Sequence, residues 1–148
     1  MSLKNINTKL QSERGFTIVE LLIVIVVIGI LAAITIVSYN GVTARANTTS
    51  AKAAASAALK KAEAYNAEEN AYPVDPDNMT TAPATETYQL TGVTFAATNI
   101  TTAPTAASQL KFFTCTNGLQ VAYWDYSTTA WVNQTTGACT GTPAFVAG

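Results

Sequence analysis

"RGFTIVELLIVIVVIGILAAITIV", residues 14–37, decides how the rest of the chain must be read. From Phe16 to Val37 its only charged side chain is Glu20. As a helix this run would be about 33 Å long at roughly 1.5 Å per residue, enough to cross a bilayer. No other stretch of the chain could surround it, which excludes a core helix of a soluble protein. An acidic residue at the centre of a membrane span costs about 2.5–3.5 kcal/mol, so Glu20 requires an edge position or a partner.

The flanks set an orientation. Lys4, Lys9 and Arg14 precede the run, opposed only by Glu13, whereas the chain from Phe16 onward carries five basic and eight acidic side chains. Positive residues before an apolar span place the N-terminus in the cytoplasm and residues after about 38 outside. The 148 residues leave room for one membrane segment and one small soluble domain. A net charge of −1 argues against nucleic-acid binding through bulk electrostatics. Cys115 and Cys139 are the only cysteines, and there is no histidine to join them around zinc. A disulfide in an oxidising compartment is the better reading, and two buried thiols are the other.

Beyond the run, residues 42–71 are rich in Ala, Lys, Glu, Asn and Thr and contain no proline, a composition that favours helix. Ala51, Ala55, Ala58, Ala62, Tyr65, Glu69 and Tyr72 alternate steps of four and three, with Leu59 on the same face. That is an amphipathic stripe with one lapse at Glu69. Only Asn40-Gly41 interrupts the join, so one helix is predicted from about Phe16 to Ala71, ended by Tyr72-Pro73. The rest reads as a Thr/Ala/Pro-rich loop and then strands: Tyr88–Ala96, two runs flanking an Asn117-Gly118 hairpin, and Ala130–Gln134 after a turn at Ser127–Thr129. The expected fold is α+β, a long N-terminal helix packed by its alanine stripe on a three- or four-stranded antiparallel sheet. Residues 1–15 read as a leader or cytoplasmic tail, 16–39 as a transmembrane helix, 40–72 as the amphipathic helix, and 73–148 as the variable loop and sheet.

Two plain accounts of the apolar run fall short. A secretory signal peptide could be cut at Ala44-Arg45-Ala46, but the run exceeds a usual apolar core and the helix pattern continues through the cut. A simple membrane anchor leaves Glu20 unexplained. The sequence Gly15-Phe16-Thr17-Ile18-Val19-Glu20-Leu21-Leu22-Ile23-Val24, continuing to "IGILAAI" at 28–34, resembles the class III signal of type IV pilins and pseudopilins. The sequence resemblance covers residues 14 to about 39; beyond it only the architecture matches.

The resemblance implies cleavage between Gly15 and Phe16 by a prepilin peptidase and methylation of the new amine on Phe16. It implies that Glu20 pairs with the N-terminal amine of a neighbouring copy during filament assembly. Many family members have a proline seven or eight residues after the glycine equivalent to Gly29; Val37 stands here instead, leaving Gly29 as the weak point of the helix. The implied function is a structural subunit of a type IV pilus, with a minor pilin or secretion pseudopilin as the alternative. An anchored extracytoplasmic binding domain is the alternative from another class. The implied partners are other copies of the chain, the peptidase, the pilus assembly machinery and the membrane, with a surface or DNA ligand left unassigned.

Weaker signals point elsewhere without converging. Asp75, Asp77 and Glu86 take positions 1, 3 and 12 of a calcium loop, but Met79 and Thr80 fail where an oxygen ligand and a glycine belong. Asn47, Asn78, Asn99 and Asn133 each begin an N-x-Thr sequon, which composition accounts for in the main, as it does for the Thr-rich stretch 80–108. Lys52, Lys60 and Lys61 read as a solvated helix face rather than an anion-binding strip. Trp124, Tyr126 and Trp131 read as sheet core rather than a ligand platform. No catalytic constellation, cofactor motif or metal set is present in the sequence, so an enzyme is the least favoured class.

Overall fold

The computed structural model describes residues 15–148; residues 1–14, the body of the expected leader with Lys4, Lys9 and Arg14, lie outside the described residues. The order of elements is helix α1 (Ile18–Glu69), a one-turn helix α2 (Asp77–Thr80), and strands β1 (Thr94–Phe95), β2 (Gln109–Asp125) and β3 (Ala130–Val146). The chain divides into two compact units between Ser38 and Tyr39. In the first, every large aliphatic side chain from Ile18 to Val37 is exposed among the described residues.

The second unit is an α+β domain. Ala51, Ala55, Ala58 and Ala62 are completely buried, so the alanine stripe is the packed face of α1 as the spacing predicts. Small methyls there let the sheet approach closely, and the bulk comes from Leu110, Phe112, Leu119, Val121 and Tyr123 together with Met79, Leu90 and Phe95. Each such large side chain contributes about 1.5–3 kcal/mol when removed from water. The helix stops at Glu69, a little short of the predicted Ala71, because Asn70 turns to φ 55°. A left-handed residue just past the last turn is a common helix stop, and it acts here before Tyr72-Pro73 can.

The sheet departs from the fully antiparallel arrangement predicted. β2 and β3 are antiparallel, but β1 runs parallel to β2, with Thr94 opposite Gln109 and Phe95 opposite Leu110. A parallel pair needs a crossover of about a dozen residues or more, and the irregular segment 96–108 supplies it. The strand expected at Tyr88–Ala96 shrinks to Thr94–Phe95, following Gly92 at φ 74°.

The Asn117-Gly118 hairpin is also corrected. Residues 109–125 form one strand, and β3 follows it past Asn117-Gly118, with register shifts between Thr114 and Thr116 and between Thr116 and Gly118. Asn117 has the positive φ of a turn residue (56°), but Gly118 does not, and a two-residue type I′ turn needs both. The dipeptide instead bends the whole β2–β3 ribbon. Trp131 pairs with Trp124, thirteen residues along β2 from Lys111, and a straight strand would separate those two by about 43 Å at roughly 3.3 Å per residue. Yet the Lys111 ammonium lies 4.4 Å from the centre of the Trp131 ring. The ribbon therefore doubles back at its bulges, and its true reversal is the turn after Asp125 predicted at Ser127–Thr129.

Asp125 fastens that turn. Its Oδ1 accepts from the amides of Ser127 (2.8 Å) and Thr128 (3.3 Å) and from the Thr48 hydroxyl on α1 (3.0 Å). The Tyr126 amide in turn donates to Thr48 Oγ1 at 2.9 Å. Cys115 and Cys139 are joined in a disulfide with their Cα atoms 5.2 Å apart, clamping β2 to β3 beside the bend.

Candidate functional site

Gly15 and Phe16 precede the first helical turn; a Cβ placed on Gly15 would meet nothing within 4 Å, and Phe16 is 83% exposed. This peptide bond is open on the side where a side chain would otherwise stand. Thr17 then starts the helix: its carbonyl accepts from the Leu21 amide at 3.3 Å, the first intrahelical bond. Its hydroxyl oxygen accepts from the Glu20 amide at 3.2 Å.

Glu20 answers in kind. The Thr17 amide donates to Glu20 Oε2 at 2.9 Å, and the Thr17 hydroxyl donates to the same oxygen at 2.8 Å. The two residues form a reciprocal capping box, in which each side chain satisfies an orphan amide of the other. The requirement that Glu20 have a partner is thus met first inside its own chain, in the first turn where a carboxylate also suits the helix dipole. Sequence reading missed Thr17, although Thr17-x-x-Glu20 before an apolar run is a recognised helix-start signature.

From this cap the helix is long and apolar enough to cross a membrane, and among the described residues none of its apolar window is buried. Gly29 lies inside the helix with open space around it. Glu20 and Phe16 are close in sequence to each other and remote in sequence from Cys115–Cys139, which belongs to the second unit.

The weaker candidates separate. Asp75 and Asn78 tie a turn, with the Asp77 amide donating to Asp75 Oδ1 (2.9 Å) and the Asp75 amide to Asn78 Oδ1 (3.0 Å). Among the described residues no group of three or more carboxylate or cysteine ligands gathers, so Glu86 does not join them. In the Asn47 sequon the Thr49 hydroxyl donates to the Arg45 carbonyl at 2.9 Å, and Asn99 and Asn133 are exposed. Lys61 donates to the Thr87 carbonyl at 2.6 Å, so it braces the loop instead of sharing a strip with the exposed Lys52 and Lys60. Trp124 is buried and meets Trp131 edge-on with ring centres 5.5 Å apart; Tyr126 is half-buried.

Comparison with known proteins agrees with the N-terminal motif. Residues 10–36 match the family described as the prokaryotic N-terminal methylation motif. A fimbrial protein of Pseudomonas aeruginosa is 50% identical over 42 residues, 28% of this chain and 27% of that protein. The fimbrial protein EcpC of Eikenella corrodens is 37% identical over 65 residues, 44% of this chain and 42% of that one. The type IV major pilin protein PilE1 of Neisseria gonorrhoeae is 49% identical over 39 residues, 26% and 24% of the two chains. The chain thus spans less than half the length of these relatives, which are named for pili and not for a catalysed reaction. No solved structure matches it.

Proposed function

We propose, from the premise that residues 10–36 are the N-terminus of a type IV prepilin, that this chain is the precursor of a filament subunit. The observation that carries the reading is a methylation motif placed at the start of a capped helix whose large aliphatic side chains from Ile18 to Val37 are all exposed. Such a surface is unstable in water. It is covered first by lipid, with Lys4, Lys9 and Arg14 holding the N-terminus in the cytoplasm, and then by copies of the same helix.

In this account a prepilin peptidase cuts between Gly15 and Phe16 and leaves the apolar helix on the mature chain. The cut creates a cation at Phe16, which is then methylated. Glu20 pairs with the corresponding cation of a neighbouring copy. Two opposite charges in a low-dielectric bundle attract strongly but also lose hydration, so the net gain is small; an unpaired buried carboxylate costs several kcal/mol. Glu20 therefore acts chiefly on register. The force for growth is burial of apolar helix surface in head-to-tail contacts that do not close.

The subunit waits in the cytoplasmic membrane and ends on the cell surface, where the filament serves adhesion, twitching or DNA uptake. Shearing cells and analysing the released filaments tests this. The trimmed chain is expected as their major component; its absence there, with the chain retained in the membrane, would favour a minor pilin, a secretion pseudopilin or an anchored binding domain.

A further inference from the structure

The two edges of the sheet are guarded unequally. β1 closes one side with only two residues, Thr94 and Phe95. The other side is β3, 17 residues long, and among the described residues no strand lies beyond it. An open edge offers its N–H and C=O groups to any strand that arrives, and proteins blunt it with charge, proline, bulges or shortness. The second half of β3 carries such devices: Gly137 and Gly141 at positive φ, the clamp at Cys139, and Pro143. The first half has none. Ala130–Thr136, "AWVNQTT", contains no charge, no proline and no glycine.

The side chains of this half alternate as a strand requires. Val132, Gln134 and Thr136 face α1: Val132 packs on the core, the Ser56 hydroxyl donates to Gln134 Oε1 at 3.5 Å, and the Thr136 hydroxyl donates to Glu63. Trp131, Asn133 and Thr135 take the opposite face. Asn133 and Thr135 are exposed there, and Trp131 is half-buried against Trp124. The stretch keeps unbroken register with β2, from Ala130 opposite Asp125 to Thr136 opposite Leu119. Among the described residues, no backbone hydrogen bond outside that ladder engages Ala130–Thr136.

The composition selects the occupant. A charged strand finds no counter-charge on this stretch, whereas an identical one meets no like charge. The stretch is bounded by the turn before Ala130 and by Gly137, so antiparallel pairing that uses all of it centres on Asn133. A two-fold axis there sets Asn133 against the second copy's Asn133, and Trp131 against the second copy's Thr135. Cross-strand pairs of an aromatic with a β-branched residue are favourable, and asparagine ladders suit stacked strands. We propose that Ala130–Thr136 is a self-association edge, to which a second copy of this chain adds its own Ala130–Thr136 as an antiparallel strand. Such a contact is isologous and closes on itself, unlike the head-to-tail contacts of the apolar helices. It goes beyond the filament reading and does not rest on it, because unassembled chains can form it.

The test uses the full-length chain in detergent, with micelles in excess over chains so that the apolar helices stay apart. Asn133→Cys and, separately, Thr135→Cys are treated with a short bismaleimide, which spares the native disulfide. Cross-linking is expected about tenfold or more faster at 133, since thiols at 135 would stand about 13 Å apart along the strands at roughly 3.3 Å per residue. Amide exchange reads the unmodified edge. Raising the chain concentration should slow alternate amides within 130–136 severalfold, but not in Asn133→Lys, which sets two ammonium groups face to face. Equal cross-linking at the two positions, none at either, no slowing in the native chain, or slowing that persists in Asn133→Lys would overturn the proposal. So would equal slowing by the peptide AWVNQTT and by a scrambled peptide of the same composition, because the edge would then take any strand.

Discussion

At the scale of single residues, Glu20 carries its charge with two hydrogen bonds from Thr17 already on Oε2. A carboxylate has about four acceptor positions, so Glu20 keeps others with which to accept from the amine that the proposed assembly would bring to it. The charge and its spacing from Phe16 were legible in the sequence because nothing else charged stands in the run. The cap was legible too, as Thr17-x-x-Glu20, but the membrane reading drew all attention to the carboxylate and none to the hydroxyl. Two outcomes follow. Thr17→Val should loosen the first turn by about 1 kcal/mol, the usual value of an N-cap, and Thr17→Ser should restore it. Amide hydrogen exchange at Ile18–Glu20 in micelles checks this, with a severalfold acceleration for valine alone. Glu20→Lys should leave cleavage after Gly15 intact and abolish filaments; normal filaments from this variant would remove the pairing role.

Among the elements, the helix and the ribbon differ in how openly the sequence declares them. Burial of Ala51, Ala55, Ala58 and Ala62 follows from a period of 3.6 and from nothing beyond the helix itself. The bend in the ribbon depends on contacts between distant residues. Gly118 faces Gly137 across the ladder, and a Cβ on Gly137 would stand 2.6 Å from both the Asn117 carbonyl oxygen and the Tyr72 ring. Asn117-Gly118 looks like a hairpin from its own residues because the close partner, at Gly137, is twenty positions away. Gly137 and Gly141 both have positive φ, at 71° and 83°, but space is open around Gly141. Gly137→Ala should therefore cost clearly more than Gly141→Ala, which pays only the backbone term of about 1 kcal/mol. Chemical denaturation of the two variants decides it, and equal losses would mean that the close approach is not what fixes the bend.

For the molecule as a whole, two fastenings hold the second unit. Opening Cys115–Cys139, which are 24 positions apart, should lower stability by about 3 kcal/mol, as Cys115→Ser/Cys139→Ser melts will show. The Asp125 carboxyl lies below the usual aspartate range because the Ser127 amide, with Thr48 and the Thr128 amide, binds its charged form. A depressed acid contributes stability that is complete above about pH 4 and lost as pH falls through the lowered value. Asp125→Asn should flatten that acid limb of the melting profile; an unchanged limb would move the effect to other carboxylates. The large aliphatic side chains of the first unit from Ile18 to Val37 are exposed among the described residues, and the filament account covers them. Its central claim is that Phe16, and no other residue, begins the mature chain. Intact-mass and N-terminal analysis of the protein from its native cells measures this directly: the account predicts an N-methylated Phe16 start, and a start at Met1 or at Asn47 would contradict it.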